Sequence, residues 1–162
     1  MAEKIATLLL WLFVMNLGIT FGAGLYEARI AVPEWIGAGS LYRWNAEAAR
    51  RANTGLRFWV FVTTVPLTLI TIASLVAAWV SGGPERRWWL AAALTALLDR
   101  VFTFSYFVPT MLKLMRGEGL AESQATAIAL QWVKLDYVRH AIVLVAWVAA
   151  LKAFSLRGHH AG

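Results

Sequence analysis

The sequence predicts an all-α integral membrane protein, a four-helix bundle with a short interfacial helix between its first and second spanning helices. Composition is the first reason: 60% of the 162 residues are hydrophobic and 15% are charged, where a soluble domain has about 25% charged residues. The second is the presence of four apolar runs, each near or above the ~20 residues that cross a bilayer core. Because backbone groups in hydrocarbon must be hydrogen-bonded within their own segment, these runs are expected to be helices.

The predicted spans form one transmembrane domain over residues 1–162 and are joined by short connections. They cover residues 5–27, 57–80, 87–113 and 121–154. The first is too long for the apolar region of a signal peptide and lacks a suitable cleavage site, so we interpret it as a retained helix. "SGGPERR", with a proline and two glycines, predicts a tight turn between the second and third spans.

Residues 28–56 form the predicted extramembrane segment. Within it, "SLYRWNAEAARRAN" places Leu41, Trp44 and Ala48 at helical spacing, with arginines at other positions. This pattern predicts a short amphipathic helix at the membrane interface. A capping loop without a functional role is the alternative.

Four spans place both chain termini and the turn at 81–87 on one side, here called the terminal side, and the other two connections on the loop side. Basic residues are divided almost evenly between the sides, so they do not determine the orientation. The formal charge of +6 fits contacts with anionic lipid headgroups. We therefore expect a multi-pass protein of a cell inner membrane, with the lipid bilayer and no nucleic acid as a partner, and leave a homo-oligomer open.

Ionisable residues within the predicted spans are the candidate functional residues. A charged group near mid-membrane costs about 2.5–3.5 kcal/mol on insertion scales and usually faces a partner or a wet cavity. Polar residues recur at helical spacing on the first, third and fourth spans. The catalytic candidates are Asp99, Arg100, Asp136, Arg139 and His140. The ligand-binding candidates are Asn16, Thr20, Glu27, Thr103, Tyr106 and Trp132.

Two interpretations fit this polar set. In one, a buried network fixes helix register, with Asp99 paired to Arg139 and Asp136 paired to Arg100. In the other, a cavity open to the loop side holds a mostly apolar ligand, one of the aspartates takes a proton, and His140 relays it. The terminal-side half, rich in leucine, alanine, valine and tryptophan, is expected to carry no ionisable site.

Metal and cofactor chemistry have little support in the sequence. The chain has no cysteine, which excludes disulfides and thiolate ligands. His140 is the single histidine within a predicted span, so no second histidine is present there for haem, and no His/Glu pair at i, i+4 supports a metal site. Phosphate-binding and dinucleotide-binding loops are absent. We therefore predict no cofactor and no metal.

Three stretches carry a resemblance to a known family: "GAGLYEARIAVPEW" (22–35), "DRVFTFSYFVPTMLKL" (99–114) and "WVKLDYVRHAIVLVAWVAALKAFSL" (132–156). With the four-span layout, they resemble the anthrone oxygenase-like family of small four-helix membrane proteins. The resemblance implies a cofactor-independent oxygenase, in which a base makes a carbanion from an electron-rich polyphenol that reacts with O₂. The family pattern falls on Glu27, Arg100, Pro109, Trp132 and Arg139. Asp136 departs from it, because family members often have asparagine there.

Three classes of function follow. The chain is a small membrane enzyme acting on an aromatic or quinone-like substrate, a binding or transport module for an apolar ligand, or a partner subunit of a membrane complex. Turnover separates the first two classes, and co-purification of a second chain favours the third.

Overall fold

The computed structural model describes residues 2–37, 42–117 and 119–158, and these are all-helical without a strand. Four helices are long and apolar enough to cross a membrane, a result compatible with a multi-pass membrane protein. A shorter helix lies between the first two. The helices are α1 (Glu3–Ile36), α2 (Ala46–Ala52), α3 (Gly55–Val80), α4 (Arg86–Arg116) and α5 (Glu122–Arg157).

The last three predicted spans lie on α3, α4 and α5 with ends shifted by a few residues. The first was predicted too short. Helix α1 continues to Ile36, so residues 28–36, predicted to belong to the extramembrane segment, are helical and continuous with the first span. The predicted helix in the following segment is α2, which begins after Leu41; Leu41 itself lies outside the described residues.

Three of the long helices contain a π-helical segment, and each segment is followed directly by a Val-Pro pair. The segments are Glu27–Ala31, Gly55–Thr64 and Thr103–Phe107, and the prolines are Pro33, Pro66 and Pro109. Proline has no N–H and its ring clashes with the carbonyl four residues earlier. A wider turn before the proline relieves this clash without ending the helix. All three segments lie in the loop-side half.

The long helices pack around a common apolar core. Helices α1 and α4 each contact α3 and α5. Alanines on α4 and α5 are buried where these helices meet, and small side chains allow close approach of helix backbones. Gly18 of α1 lies against the ring of Trp147 on α5. The larger core side chains are Leu10, Phe13, Leu17, Leu67 and Trp89.

Helix α2 is attached to the loop-side end of α4. Trp44 Nε1 donates to the carbonyl oxygen of Leu114 at 3.1 Å, and Arg50 Nη1 donates to that of Met115 at 2.6 Å. These two carbonyls belong to the last turn of α4, where no helical N–H is available to them. Asn45 caps α2 by accepting from the Ala48 amide at 2.9 Å. The segment around α2 therefore folds over the loop-side end of α4.

Candidate functional site

The densest polar group on one helix lies on α5. Arg139 Nη2 is 2.7 Å from Asp136 Oδ1, one turn away. His140 Nδ1 is 2.6 Å from the carbonyl oxygen of Asp136 and 3.4 Å from its Oδ2. Both Asp136 and His140 are buried. The Arg139 guanidinium carbon also lies 4.6 Å from the ring centroid of Phe107 on α4, a cation–π distance.

Glu27 joins this group from α1. Its side chain is buried, and its Oε1 accepts hydrogen bonds from Thr54 Oγ1 at 2.6 Å and from Trp59 Nε1 at 2.9 Å. Glu27 is near enough to Asp136 and Arg139 to interact with both electrostatically. We refer to Glu27, Asp136, Arg139 and His140 as the polar cluster.

Gly24 fixes the distance between α1 and the polar cluster. A Cβ atom built at Gly24 would collide with His140 Nε2 and lie 2.9 Å from its Cδ2. The imidazole therefore occupies space that only glycine leaves open. Because Nδ1 is engaged by Asp136, Nε2 faces the α1 backbone.

Asp99 and Arg100 form a second buried charge pair, on α4. Arg100 Nε donates to Asp99 Oδ2 at 3.0 Å, and Arg100 Nη2 pairs with the same oxygen. Asp99 Oδ1 is buried without a hydrogen-bond partner among the described residues. Thr103 Oγ1 donates to the backbone carbonyl of Asp99 at 2.8 Å and does not reach its carboxylate.

The predicted pairing of the charges was wrong. Both arginines are largely buried and lie next to a carboxylate, but Arg100 pairs with Asp99 and Arg139 with Asp136, each within one helix. Neighbours one or three positions apart are within reach of a long arginine side chain, and an unpaired guanidinium in an apolar interior is costly. The pairs therefore do not link α4 to α5 as ion bridges.

The other predicted ligand-binding residues mostly contact the backbone. Trp132 Nε1 donates to the Phe107 carbonyl at 3.2 Å, and Asn16 Nδ2 donates to the Val62 carbonyl at 3.0 Å. Both acceptors lie in π-helical segments of a neighbouring helix. Tyr106 packs edge-to-face on Phe107, and Thr20 Oγ1 donates to the Asn16 carbonyl at 2.8 Å. Trp132 and Tyr106 thus adjoin the polar cluster through Phe107, whereas Asn16 and Thr20 lie two or more turns from Glu27.

Sequence analysis did not single out Gly24, Thr54, Trp59 or Phe107. The positions of the two donors to Glu27 could have been inferred from the order of the helices along the chain. Helices α1 and α3 run in opposite directions, so the end of one lies beside the start of the other. Residues just after 53 are therefore within reach of a carboxylate at residue 27.

The terminal-side half is not free of buried charge, contrary to expectation. Glu85, predicted to lie in an ordinary turn, is 5% exposed. Its Oε1 accepts from Ser81 Oγ at 2.9 Å and from Arg157 Nη1 at 2.8 Å. Arg157 also donates to Thr7 Oγ1 at 3.0 Å. This pair holds the start of α4 against the last turn of α5.

The buried charges of the loop-side half do not balance. Three carboxylates and two guanidinium groups are enclosed there, so one negative charge remains unless a proton or a cation neutralises it. Within the described ranges no three histidine, aspartate or glutamate side chains are arranged to hold a metal ion. A proton on His140 or on one of the three carboxylates would balance the formal charges of the five acidic and basic side chains. The residues are Glu27, Asp99, Arg100, Asp136 and Arg139.

Comparison with known proteins adds no relative. No family model, curated protein or solved structure matches the chain.

Proposed function

We propose that the chain is a multi-pass membrane enzyme whose polar cluster carries out acid–base chemistry on an uncharged aromatic or quinone-like molecule. The observation that supports this most directly is the unbalanced buried charge around His140. A group of carboxylates that keeps one proton in an apolar interior has both an acid and a base available for transfer. The alternative, a network kept for stability, does not need an excess charge.

Glu27 is the best-placed base. The oxygens of Asp136 face Arg139 and His140, and Asp99 lies outside the polar cluster, with its Oδ2 held by Arg100 and its Oδ1 without a hydrogen-bond partner among the described residues. Thr54 and Trp59 both bind Oε1 of Glu27, so its Oε2 is left to exchange a proton. Arg139, positioned by Asp136 and by the Phe107 ring, would stabilise an anion formed on the substrate.

The resemblance to the anthrone oxygenase-like family supports a specific reaction. A methylene group beside an aromatic ketone loses a proton to the base, and the resulting carbanion gives one electron to O₂. The carbon radical and superoxide combine to a peroxide anion, which takes the proton back from the base. The resulting hydroperoxide loses water to leave a carbonyl group. The sum is CH₂ + O₂ → C=O + H₂O, and no external reductant is consumed.

In the same proposal, α2 lies at the membrane interface. Its exposed Arg51 and its attachment to the end of α4 through Trp44 and Arg50 fit a helix at the membrane interface on the loop side. There it would cover the end of the bundle nearest to the polar cluster.

The test uses the purified protein in lipid nanodiscs with anthrone as the probe. We expect one O₂ consumed per anthraquinone formed, at a rate above that of empty nanodiscs. Glu27→Gln and His140→Ala should lose this rate while the protein stays folded, because neither change leaves an arginine without its carboxylate. Gly22→Ala is the matched control, since no atom lies within 4 Å of a Cβ at that position.

Two results would contradict the proposal. A wild-type rate equal to that of empty nanodiscs would show that the protein does not catalyse the oxygenase reaction. Full activity in both Glu27→Gln and His140→Ala would show that the polar cluster takes no part in the reaction.

A further inference from the structure

A cavity of about 750 Å³ opens at the terminal side of the protein. It lies between the first turns of α1, the last turn of α3 and the start of α4. Its lining includes Ala6, Leu9, Ala77, Glu85, Trp89 and Arg157. No residue of the polar cluster lines it. The volume is within the range of about 300–1,000 Å³ that is typical of small-molecule sites.

Among the side chains that line this cavity, Trp89 has a buried polar atom without a hydrogen-bond partner among the described residues. The residue is completely buried, and its Nε1–H has no hydrogen-bond partner in the described part of the chain. A buried donor left unpaired costs about 1–3 kcal/mol. The Arg157 donors, by contrast, are used by Thr7, Glu85 and the Glu3 carbonyl. A ligand that brings a hydrogen-bond acceptor would satisfy Trp89.

The charges around the cavity select against an anionic ligand. Glu3 and Glu85 line it together with Arg157, and Arg157 is already paired with Glu85 at 2.8 Å. The remaining lining is uncharged and combines five aliphatic side chains with glycine, proline, tryptophan and two hydroxyl side chains. A neutral acceptor on an apolar body fits these surroundings better than a carboxylate or phosphate does.

We propose that the terminal-side cavity binds an uncharged apolar molecule whose carbonyl oxygen accepts the Trp89 Nε1–H. This site is distinct from the polar cluster and does not depend on the oxygenase proposal. The carbonyl belongs to a quinone ring or to an acyl ester. Competition of a quinone and an ester for the cavity distinguishes these two sources.

The experiment is photo-crosslinking of the full chain in phosphatidylcholine nanodiscs. The probe is the methyl ester of a diazirine-bearing decanoic acid; the free acid and the matching hydrocarbon serve as comparison probes. We expect the ester to label peptides from the starts of α1 and α4 and the end of α3, and to do so more than either comparison probe. Unlabelled methyl decanoate or a decyl-substituted benzoquinone should compete, and the stronger competitor identifies the source of the carbonyl.

Two pairs of variants test the geometry. Trp89→Phe removes the donor and keeps the ring, and should weaken ester labelling about 5- to 10-fold, the value of one hydrogen bond. Trp88→Phe, at the exposed neighbour, should not. Ala77→Phe fills the cavity and should abolish labelling, whereas Ala73→Phe, at an exposed position one turn earlier, should leave it unchanged.

Three outcomes would overturn the proposal. Equal labelling by the hydrocarbon and the ester would indicate a groove filled by lipid chains without recognition. Stronger labelling by the free acid would indicate an anion site. Unchanged labelling in both Trp89→Phe and Ala77→Phe would place the probe outside the cavity.

Discussion

Gly24 of α1 lies directly against His140 of α5, at a position where any side chain would strike the imidazole Nε2. The contact is therefore one between a helix backbone and a polar side chain. Two residues earlier, at Gly22, a Cβ would meet nothing within 4 Å. Residues 18–22, "GITFG", have the G-x-x-x-G spacing that allows a neighbouring helix to approach closely. Of its two glycines, Gly18 packs on Trp147 and Gly22 is open, while Gly24, the glycine closest to the charges, lies outside this stretch.

Gly24→Ala should displace the His140 ring and lower stability by about 1–3 kcal/mol, the usual cost of overpacking an interior. The reason is steric, because the substitution removes no charge and no hydrogen bond. The measurement is thermal unfolding in detergent, with the proposed anthrone oxidation as a second readout. Gly22→Ala is the control and should leave stability equal or up to about 1 kcal/mol higher, since alanine favours a helix. Equal unfolding temperatures for both variants would contradict the close packing of α1 on His140.

Asp136→Ala should be the most damaging single change in the polar cluster. It leaves Arg139 largely buried without its carboxylate, and breaking a buried pair in this way costs about 3–5 kcal/mol. His140→Ala leaves no charge unpaired and should cost no more than about 2 kcal/mol. Chemical unfolding of both variants gives the comparison. A larger loss for His140→Ala than for Asp136→Ala would show that packing, and not charge pairing, dominates this site.

Trp132→Phe should weaken the contact of α5 with the π-helical segment of α4. The change removes the hydrogen bond from Nε1 to the Phe107 carbonyl, which is worth about 0.5–1.5 kcal/mol, and keeps most of the ring packing. Trp79→Phe, at a residue 70% exposed, is the matched control and should change little. Hydrogen exchange of the amides in Thr103–Phe107 should increase in the first variant only.

The long helices could be predicted from the sequence because their signal is local. Apolar runs such as those of α3 and α4 determine their own conformation in hydrocarbon, where each backbone group must be bonded within the segment. The extension of α1 beyond residue 27 could not be predicted in this way. Its last turns contain two charged residues, Arg29 and Glu34, as well as Pro33, and they stay helical because a π-helical segment precedes the proline.

The residue types of the candidate site could be predicted from the sequence, but the pairing of its arginines with its carboxylates could not. Spacing of i, i+3 and i+4 placed Asp136, Arg139 and His140 on one face of α5, as the structure has them. Which carboxylate each arginine binds depends on side-chain reach and on neighbouring helices, and a single sequence does not encode these distances. Glu85 illustrates the same limit: its burial results from Arg157, 72 positions later in the chain.

The ion pair of Glu85 and Arg157 should be the main polar link between the start of α4 and the end of α5. Arg157→Ala leaves Glu85, 5% exposed, without its counter-charge, and we expect a loss of about 3–5 kcal/mol. Glu85→Ala alone should cost less, because Arg157 is 17% exposed at its side chain and keeps Thr7 as a partner.

A double-mutant cycle separates the pair from the rest of the packing. If the loss in Arg157→Ala comes mainly from the stranded carboxylate, the variant with both changes should be more stable than Arg157→Ala alone, by about 1–3 kcal/mol. Arg86→Ala and Arg87→Ala, at exposed positions of the same turn, should each change stability by less than about 0.5 kcal/mol. Strict additivity of the two single changes would mean that Arg157 stabilises the protein through its contacts with Thr7, the Glu3 carbonyl and the Trp89 ring, and not through Glu85.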